Sequence, residues 1–384
     1  MRVAHIITRL IIGGAQENTI LNCQDLVSEH GDDVVLIAGP GLGPEGSLED
    51  DARRRGVPLK LLPALRRAID PWRDVASYRA IGRAILEFKP DVVHTHSGKA
   101  GLLGRLAAWQ LRIPAIVHTV HGAPFHAYQN SVSRAFFRGC ERFAAARCHE
   151  ISSVADAMTG QLVAAGVATR DKFTTIYSGM EVEAFLDAER HRERVRKELG
   201  FTADDVVVAK VARLFHLKGH ADLIAAARDV CGRDRRLKFL LVGDGILRPK
   251  IEAEIASAGL AERFRFTGLV PPQRIPELLA AADIVVHTSL REGLARVLPQ
   301  ALLVGRPVVS YDVDGAREVV RDGATGYLVQ SGNVATLADR IGSLAKSPEL
   351  CERFAFAGRE LCRTRFDHHA MTRQIRELYE RLLA

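Results

Sequence analysis

The feature that most constrains the fold of this 384-residue chain is a regular alternation of short apolar segments with segments of helical periodicity. The alternation runs through the first half of the chain, is interrupted near residue 180, and then resumes. Strands that alternate with helices of about 10–15 residues form right-handed βαβ units and parallel sheets. Two such series predict an α/β protein with two doubly wound, Rossmann-like domains that face a central cleft.

The predicted strands can be placed on the apolar segments. In the first half they are residues 3–8, 33–38, 91–96, 115–120, 150–154 and 172–177. In the second half they are residues 206–212, 238–242, 264–267, 284–287 and 307–311. We therefore predict domains over residues 1–180 and 181–365, with a hinge at 178–182.

Two flanking segments complete this organisation. The charged run 189–198 is expected to open the second domain as a solvated helix. Residues 366–384 carry an apolar stripe, Ile375, Leu378 and Leu382, at helical spacing. We expect this last segment to form a helix that packs back across the domain junction.

Composition limits the class of protein. Apolar residues make up 47% and charged residues 26%, which is ordinary for a soluble globular protein. No apolar run approaches the ~18 residues that span a bilayer, and Arg9 interrupts the first apolar stretch, so we expect no signal peptide. The six cysteines are scattered without a C-x-x-C pair, which argues against disulfides or a zinc site. These features predict a cytoplasmic protein.

Positive charge is concentrated between Asp51 and Arg112. This stretch holds 13 Lys and Arg against 5 Asp and Glu, an excess of +8 beside a net charge of +7 for the whole chain. Such a surface can bind an anionic membrane, a phosphorylated substrate or nucleic acid, and it is equally typical of a solvated helix face. Aromatic residues make up only 6% and no base-stacking or recognition-helix motif is present, so we predict no nucleic-acid partner.

Three motifs of the second half lie after predicted strands, where ligands bind in parallel α/β sheets. Glu292 and Gly293 open a helix, so one acid and backbone N–H groups can surround an anionic, hydroxyl-rich ligand. Arg213 and Lys218 flank a loop and suit a diphosphate. The segment 242–245 contains Gly243 and Asp244 and permits close approach of a nucleotide. Each motif alone is also compatible with an ordinary turn or surface charge.

The first half carries weaker motifs. Gly13 and Gly14 follow the first strand and open a helix, which favours a phosphate. They do not form G-x-G-x-x-G, so a NAD-dependent oxidoreductase is disfavoured. His121 ends a strand and is expected to point into the cleft, towards the Glu292 loop. His94 and His96 are expected to alternate across their strand, so that only one faces the cleft, and we expect no metal site from them.

Taken in order, these motifs resemble those of the retaining glycosyltransferase family 4, which has the two-domain GT-B fold. The match runs nearly end to end and includes segments 13–16, 91–96, 118–122, 177–181, 213–219, 242–245, 266–268, 282–283 and 291–301. The resemblance implies a nucleotide-sugar donor bound mainly by the C-terminal domain. It also implies that the N-terminal domain binds the acceptor.

The resemblance assigns roles to residues of this chain. Arg213 and Lys218 would bind the donor diphosphate, Glu292 would hold hydroxyls of the transferred sugar, and His121 would contact that sugar from the other domain. The remaining implied donor-binding positions are Gly13, Gly14, Gly243, Asp244, Gly268, Leu269, Val270, Gly293, Leu294 and Gln300.

The sequence departs from the family pattern at two of its motif positions. Gln300 stands where the family has a second Glu that grips the ribose hydroxyls, and Ser178 stands where Asn is usual. An amide still accepts and donates one hydrogen bond, but the charge-assisted bond is lost. This loss is worth on the order of 1 kcal/mol, so weaker donor binding is expected without loss of activity.

The sequence therefore predicts a retaining, metal-independent hexosyltransferase without a cofactor. Its donor is expected to be a UDP-sugar, with a GDP-sugar as second choice, and its acceptor a glycan or a lipid-linked acceptor such as a polyprenyl phosphate. The setting would be cell-surface polysaccharide or glycoconjugate synthesis, with peripheral contact to an anionic membrane at its inner face. A UDP-sugar epimerase and a non-catalytic scaffold subunit on the same fold stay open as alternatives.

Overall fold

The computed structural model describes residues 1–384, which divide into two compact units. The first unit comprises Met1–Met180 together with Asp367–Ala384, and the second comprises Glu181–Phe366. Each unit contains one sheet in which every strand pair is parallel, with helices in the connections. The predicted class, two Rossmann-like α/β domains, is confirmed.

The first unit is built on a seven-stranded sheet of order β3-β2-β1-β4-β5-β6-β7. Its strands are β1 Arg2–Ile7, β2 Asp33–Ala38, β3 Leu59–Leu61, β4 Val92–His96, β5 Ala115–Val120, β6 Glu150–Ser153 and β7 Phe173–Thr175. Its helices are α1 Gly14–Ser28, α2 Glu49–Arg54, α3 Pro71–Phe88, α4 Gly98–Gln110, α5 Ser131–Ala145, α6 Asp156–Ala164 and, at the end of the chain, α15 His368–Leu383. The strand order reverses between β1 and β4, so the crevice at their carboxyl ends is the expected ligand position.

The C-terminal helix α15 completes the core of the first unit. Its apolar face buries Met371, Ile375, Leu378 and Tyr379 against α1 and the sheet. Polar contacts fix its beginning, because the buried carboxylate of Asp25 accepts hydrogen bonds from side chains in the first turns of α15. The first unit is therefore made from both ends of the chain.

The second unit is built on a six-stranded sheet of order β10-β9-β8-β11-β12-β13. Its strands are β8 Val206–Val211, β9 Leu237–Val242, β10 Phe264–Gly268, β11 Ile284–His287, β12 Val308–Tyr311 and β13 Gly326–Val329. Its helices are α7 Val182–Leu186, α8 Arg192–Glu198, α9 His220–Arg233, α10 Arg248–Ser257, α11 Ile275–Ala280, α12 Val297–Val304, α13 Val334–Ala345 and α14 Pro348–Arg365. Here the strand order reverses between β8 and β11.

The structure differs from the sequence predictions in several elements. The edge strands β3 and β13, of three and four residues, were not predicted. The charged run 189–198 is not a single solvated helix, because a 3₁₀ turn precedes α8 and Arg196 of α8 is buried. The Arg196 guanidinium donates to the carbonyls of Ala281, Thr202 and Asp205, so burial is compensated by hydrogen bonds that no sequence pattern displays.

None of the helices combines the length and the apolar character that crossing a membrane requires.

Candidate functional site

The predicted donor-binding residues of the second unit lie at the carboxyl ends of neighbouring strands. Arg213 and Lys218 follow β8, and Glu292 follows β11, the strand that pairs with β8 at the reversal point. Gly243 and Asp244 follow β9. The sheet topology therefore brings together motifs that are up to about 80 residues apart in sequence, at the edge where open α/β sheets bind ligands.

Lys218 and Glu292 form an ion pair at this edge. The Lys218 ammonium donates to Oε1 of Glu292, and Nε2 of His287 lies 3.5 Å from the same oxygen. Burial alone would raise the pKa of Glu292, but the His287 contact and the positive charge of Lys218 outweigh it and lower the pKa well below its usual range. Glu292 is therefore ionised, and it can accept hydrogen bonds from hydroxyl groups but cannot act as a general acid.

Gly219 allows the loop after Lys218 to lie directly against β11. Its φ is +63°, and a Cβ at this position would stand 1.9 Å from the carbonyl oxygen of Thr288. The Thr288 hydroxyl contacts the carbonyls of Lys218 and Gly219. This packing fixes Lys218 beside Glu292, so the glycine is required by both conformation and space.

The backbone of Arg213 is fixed by a hydrogen bond, and its side chain is exposed. The carbonyl of Arg213 accepts a hydrogen bond from Nε2 of His220 at 3.0 Å. Burial and the charge of Lys210 lower the pKa of His220 to about 4, so this imidazole is neutral. The Arg213 guanidinium lies over the ring of Phe215, 5.0 Å from its centroid. An exposed, oriented guanidinium suits contact with a phosphate.

The β9 and β10 ends form a second wall of backbone. The Gly243 N–H donates to the carbonyl of Gly268 at 3.1 Å, and a Cβ on Gly243 would stand 2.3 Å from the Ala212 carbonyl oxygen. Leu269, which follows Gly268, is exposed, and Val270 is half-buried. The backbone of residues 268–270 thus lies at the carboxyl end of β10.

The Asp244 side chain serves this turn. Its carboxylate accepts from the Gly245 N–H at 2.7 Å and from Arg248 at 3.0 Å. Asp244 therefore stabilises the turn after β9. The sequence predicted only a donor-binding role for this residue and not this structural one.

The Glu292 loop is anchored from the next strand connection. The Glu292 N–H donates to Oδ2 of Asp314, and the Gly293 carbonyl accepts from the Gly315 N–H at 3.4 Å. Gly293 and Leu294 are buried before α12 begins, and Gln300 lies half-buried within that helix. Asp314 has no counterpart among the sequence predictions, because its contact depends on the loop after β12.

Lys210 is a further residue that the sequence analysis missed. It lies within β8, only 2% exposed, and donates to the Thr288 hydroxyl at 2.7 Å. Burial, together with the charge of Lys218, lowers the pKa of Lys210 from 10.5 to about 7, against the opposing charges of Glu292 and Asp222. The signal was present, since a lysine interrupts an otherwise apolar strand, and such a lysine indicates either a buried partner or a functional site.

The predicted residues of the first unit also lie at strand ends. Gly13 and Gly14 lie where α1 begins after β1, and His121 directly follows β5. The Gln16 side chain donates to the Arg9 carbonyl at 3.3 Å and closes the turn before α1. Nε2 of His121 contacts Nδ1 of His96 at 3.1 Å.

The prediction that His94 and His96 point to opposite faces of β4 is wrong. Residues two apart on a strand share a face, and their rings stack with centroids 4.4 Å apart. Both are fully buried, and His5 of β1 joins them on the same face. The third histidine could have been found from the sequence by aligning β1 with β4 in a parallel register.

Two family models match the chain. The model for glycosyl transferases group 1 matches residues 191–361, and that for a glycosyl transferase 4-like domain matches residues 14–179. A 2-deoxystreptamine glucosyltransferase of Streptomyces kanamyceticus is 30% identical over 303 residues, 76% of this chain and 78% of the relative. An Escherichia coli UDP-Gal:α-D-GlcNAc-diphosphoundecaprenol α-1,3-galactosyltransferase is 26% identical over 337 residues, 87% of this chain and 85% of the relative.

A solved structure supports the same fold. Anabaena HepE, crystallised with UDP and glucose, superposes with a TM-score of 0.86 at 21% identity, covering 99% of this chain and 100% of that one. The fold and the family matches together define a glycosyltransferase of the GT-B class. The chain belongs to family 4 of the glycosyltransferases, the glycosyl transferases group 1 family.

Proposed function

We propose that this glycosyltransferase moves a sugar, with retention of anomeric configuration, from a UDP-sugar to a lipid-linked glycan. The observation that carries the proposal is the Lys218–Glu292 ion pair at the reversal point of the second sheet, whose Lys218 lies in the same connection after β8 as Arg213. In this proposal Arg213 and Lys218 bind the diphosphate of the donor, and the ionised Glu292 binds its sugar. A GDP-sugar donor and an unattached glycan acceptor are the second choices.

The proposed chemistry is electrostatic. When the diphosphate leaves, negative charge grows on its oxygens, and Arg213 and Lys218 stabilise that charge as it develops. The departing phosphate oxygen can accept the proton of the acceptor hydroxyl, so a pair of catalytic carboxylates is not needed. Glu292 then positions sugar hydroxyls and is not a nucleophile, in agreement with its ion pair and its lowered pKa.

Residues outside this cluster have supporting roles in the proposal. His121 contacts the transferred sugar, and the backbone at 268–270 contacts the base. Gln300 accepts one ribose hydroxyl with a neutral amide, so we expect donor affinity about fivefold lower than a Glu would give, equivalent to ~1 kcal/mol. Because two protein cations neutralise the diphosphate, we also propose that no metal is required, and EDTA is expected to leave turnover unchanged.

The nucleotide specificity is tested by thermal unfolding with UDP, GDP, ADP, NAD and their sugar conjugates. A ligand that binds only the folded protein adds roughly 2.7 kcal/mol of stability at 100 times its Kd. We expect a shift with UDP and UDP-sugars that Lys218→Ala abolishes. Lys250→Ala is the matched control, since Lys250 is an exposed lysine of α10 in the same unit, and it should keep the shift.

The other outcomes distinguish the alternatives. A shift of the unfolding temperature with GDP alone would indicate that the donor is a GDP-sugar and not a UDP-sugar. No shift with any nucleotide would contradict the proposal and favour a scaffold subunit. Conversion of a UDP-sugar to its isomer without an acceptor would favour an epimerase.

The proposed lipid-linked acceptor agrees with a second surface, on α5 of the first unit. Val132, Phe136 and Phe143 are spaced by four and seven residues, so they share one side of the helix, and they are 78%, 57% and 46% exposed. Arg134, Arg138 and Arg142 form a parallel row at four-residue spacing. At 3.6 residues per turn this basic row lies about 140° around the helix from the apolar stripe. Exposed apolar and basic rows on one helix are typical of helices that lie in an anionic membrane interface. We propose that this face of α5 contacts the membrane that carries the acceptor.

A further inference from the structure

Four side chains of metal-ligating type meet where α15 packs against α1 in the first unit. Asp25 lies in the last turn of α1, and Glu29, the C-cap residue of that helix, lies four residues further on the same side. His368 and His369 are the first two residues of α15. Asp25, His368 and His369 each offer one ligand atom, and these atoms lie within 4.8 Å of one another. Nδ1 of His369 also contacts Oε1 of Glu29.

The Asp25 carboxylate indicates that a cation belongs in this cluster. Asp25 is fully buried, and its Oδ2 accepts hydrogen bonds from Nδ1 of His368 at 2.7 Å and from the Thr372 hydroxyl at 2.9 Å. Its Oδ1 is buried and has no hydrogen-bond partner. A buried carboxylate oxygen is costly unless a donor or a positive charge compensates it. The protein therefore presents an unsatisfied anionic oxygen to the three neighbouring side chains.

A second unsatisfied atom lies opposite this oxygen. Nδ1 of His369 is buried and makes no hydrogen bond, although it lies within ion-pair distance of both carboxylates, 3.8 Å from Oδ1 of Asp25 in one case. The side chains of His369 and Glu29 are 42% and 34% exposed, so the cluster is buried on its Asp25 side and open to solvent on the other. An ion could therefore enter without unfolding of either helix.

The charge and the ligand types favour zinc. Two carboxylates and two neutral imidazoles carry two negative charges, which a divalent cation neutralises. Imidazole nitrogen suits Zn²⁺, whereas Mg²⁺ and Ca²⁺ take oxygen ligands. Zinc binds nitrogen and carboxylate oxygen at about 2.0–2.2 Å in tetrahedral geometry, so its ligand atoms stand about 3.3–3.6 Å apart. Rotation of the partly exposed His369 and Glu29 side chains can close the present spread of up to 4.8 Å to this separation.

We propose that Asp25, Glu29, His368 and His369 form a structural zinc site that ties the C-terminal helix α15 to α1. The imidazoles bind the ion as neutral ligands, so zinc competes with protons at this site. Because an α-helix rises 1.5 Å per residue, Asp25 lies about 16 Å along α1 from Gly14, where the proposed donor contacts begin. The site is therefore separate from the proposed transfer chemistry, which needs no metal.

A metal-free ion pair is the competing interpretation. In that arrangement a protonated His369 would stand between the carboxylates of Glu29 and Asp25. It leaves Oδ1 of Asp25 without a hydrogen bond, since Nδ1 of His369 is 3.8 Å away. An ion bound to Oδ1 satisfies this buried oxygen, so the zinc site accounts for more of the observations.

A second histidine cluster of the first unit is less suited to a metal. One nitrogen each of His5, His94 and His96 lie within 4.8 Å of one another. Both nitrogens of His94, however, are bonded to the hydroxyls of Tyr379 and Thr119. This group contains no carboxylate, so a divalent ion would remain buried with its charge uncompensated. We therefore assign the metal to the Asp25 cluster.

The test is a Zn²⁺ titration of the full-length protein after removal of metal with EDTA and dialysis. By calorimetry we expect one Zn²⁺ per chain with a Kd on the order of 1 μM, weaker than thiolate sites because the ligands are nitrogen and oxygen. Zn²⁺ at 100 times its Kd should raise the unfolding temperature of the first unit by about 5–10 °C.

Two variants remove ligands from the solvent-facing side of the cluster. His369→Ala should weaken Zn²⁺ binding at least ~100-fold, because loss of even an outer-sphere partner costs about 10–100-fold. Glu29→Gln removes a charge with little change of shape and should weaken binding at least ~10-fold. Glu377→Gln, at an exposed acid of α15, is the matched control and should bind like the wild type. Without metal, all three should unfold within about 2 °C of the wild type, which excludes a folding defect.

The position of the ion is measured by ¹H–¹⁵N NMR of the imidazoles. Zn²⁺ should shift the signals of His368 and His369 and leave those of the second cluster unchanged. The inference is overturned if the protein binds no Zn²⁺, if His369→Ala and Glu29→Gln retain wild-type affinity, or if Zn²⁺ shifts His5, His94 and His96 instead. Turnover at a temperature where the metal-free protein stays folded should not depend on Zn²⁺. A loss of turnover there would contradict a purely structural role.

Discussion

At the scale of single residues, Lys210 lowers the stability of the second unit while it lies close to the proposed donor site. A lysine inside an apolar strand loses its hydration and recovers one hydrogen bond, to Thr288. Its ammonium lies near enough to Lys218 and Glu292 to interact with both charges. An apolar residue would fit β8 better, and in the proposed function the charge of this lysine attracts the anionic donor.

The stability effect of Lys210 depends on pH in a definite direction. The unfolded chain holds this proton up to its ordinary pKa of 10.5, while the folded protein holds it only to about pH 7. Between these values the unfolded state binds more protons, so stability rises with pH, and below pH 7 the penalty is complete.

We therefore expect Lys210→Met to stabilise the second unit by on the order of 3 kcal/mol at pH 6.5, and by much less at pH 9.5. Urea unfolding at the two pH values measures this. Lys238→Met on β9 is the control and should change stability by less than ~0.5 kcal/mol at both. An equal gain for Lys210→Met at both pH values would show that the lysine does not titrate in this window.

At the scale of secondary-structure elements, α15 contributes strongly to the stability of the first unit. Its buried face includes Ile375, which is 3% exposed and packs in the core that also holds α1. The sequence predicted this helix from its apolar spacing. It could not predict the polar anchor, because Asp25 and His368 are 343 residues apart and only the packed helices bring them together.

Ile375→Ala is expected to destabilise the first unit by about 2–5 kcal/mol, since it leaves a cavity between α15 and the sheet. Hydrogen exchange should show faster exchange in α1 as well as in α15. Leu383→Ala, at a position 37% exposed, is the control and should cost less than ~0.5 kcal/mol. Unchanged exchange in α1 would mean that α15 is not part of its cooperative unit.

Elements also show the limit of sequence reasoning at the site. The positions of Arg213, Lys218 and Glu292 after β8 and β11 followed from strand periodicity and from family motifs. The contacts of His287, Thr288 and Asp314 did not, because they depend on which strands are neighbours. His94 and His96 lie on one face of β4 because side chains two apart on a strand share a face, so their common orientation could have been predicted from the sequence.

At the scale of the whole molecule, fewer Lys and Arg side chains are available to attract an anionic membrane than their number in the sequence suggests. Within the basic segment that begins at Asp51, Arg53, Arg55 and Lys60 form ion pairs with nearby acids. The buried Arg105 pairs with Glu141 of α5. Membrane attraction is therefore expected to depend on particular faces, and α5 offers both exposed apolar and basic side chains.

We expect Phe136→Ser to weaken binding to vesicles that contain anionic lipid about tenfold, because it removes one large side chain from the interface. Phe356→Ser is the matched control, since Phe356 is 74% exposed on α14 of the second unit, and it should bind like the wild type. Flotation with neutral and anionic vesicles at low and high salt measures the difference. Equal loss in both variants, or binding that ignores salt and lipid charge, would contradict the α5 assignment.

The return of α15 to the first unit has a consequence for biosynthesis. Domains usually fold in order as they leave the ribosome, at about 5–20 residues per second. Here residues 1–180 lack α15, whose Ile375 and Tyr379 complete their core, until the whole second unit has been translated. The nascent first unit therefore waits roughly 10 to 40 s with an uncovered apolar surface. We expect a ribosome-associated chaperone to bind the nascent first unit during that interval.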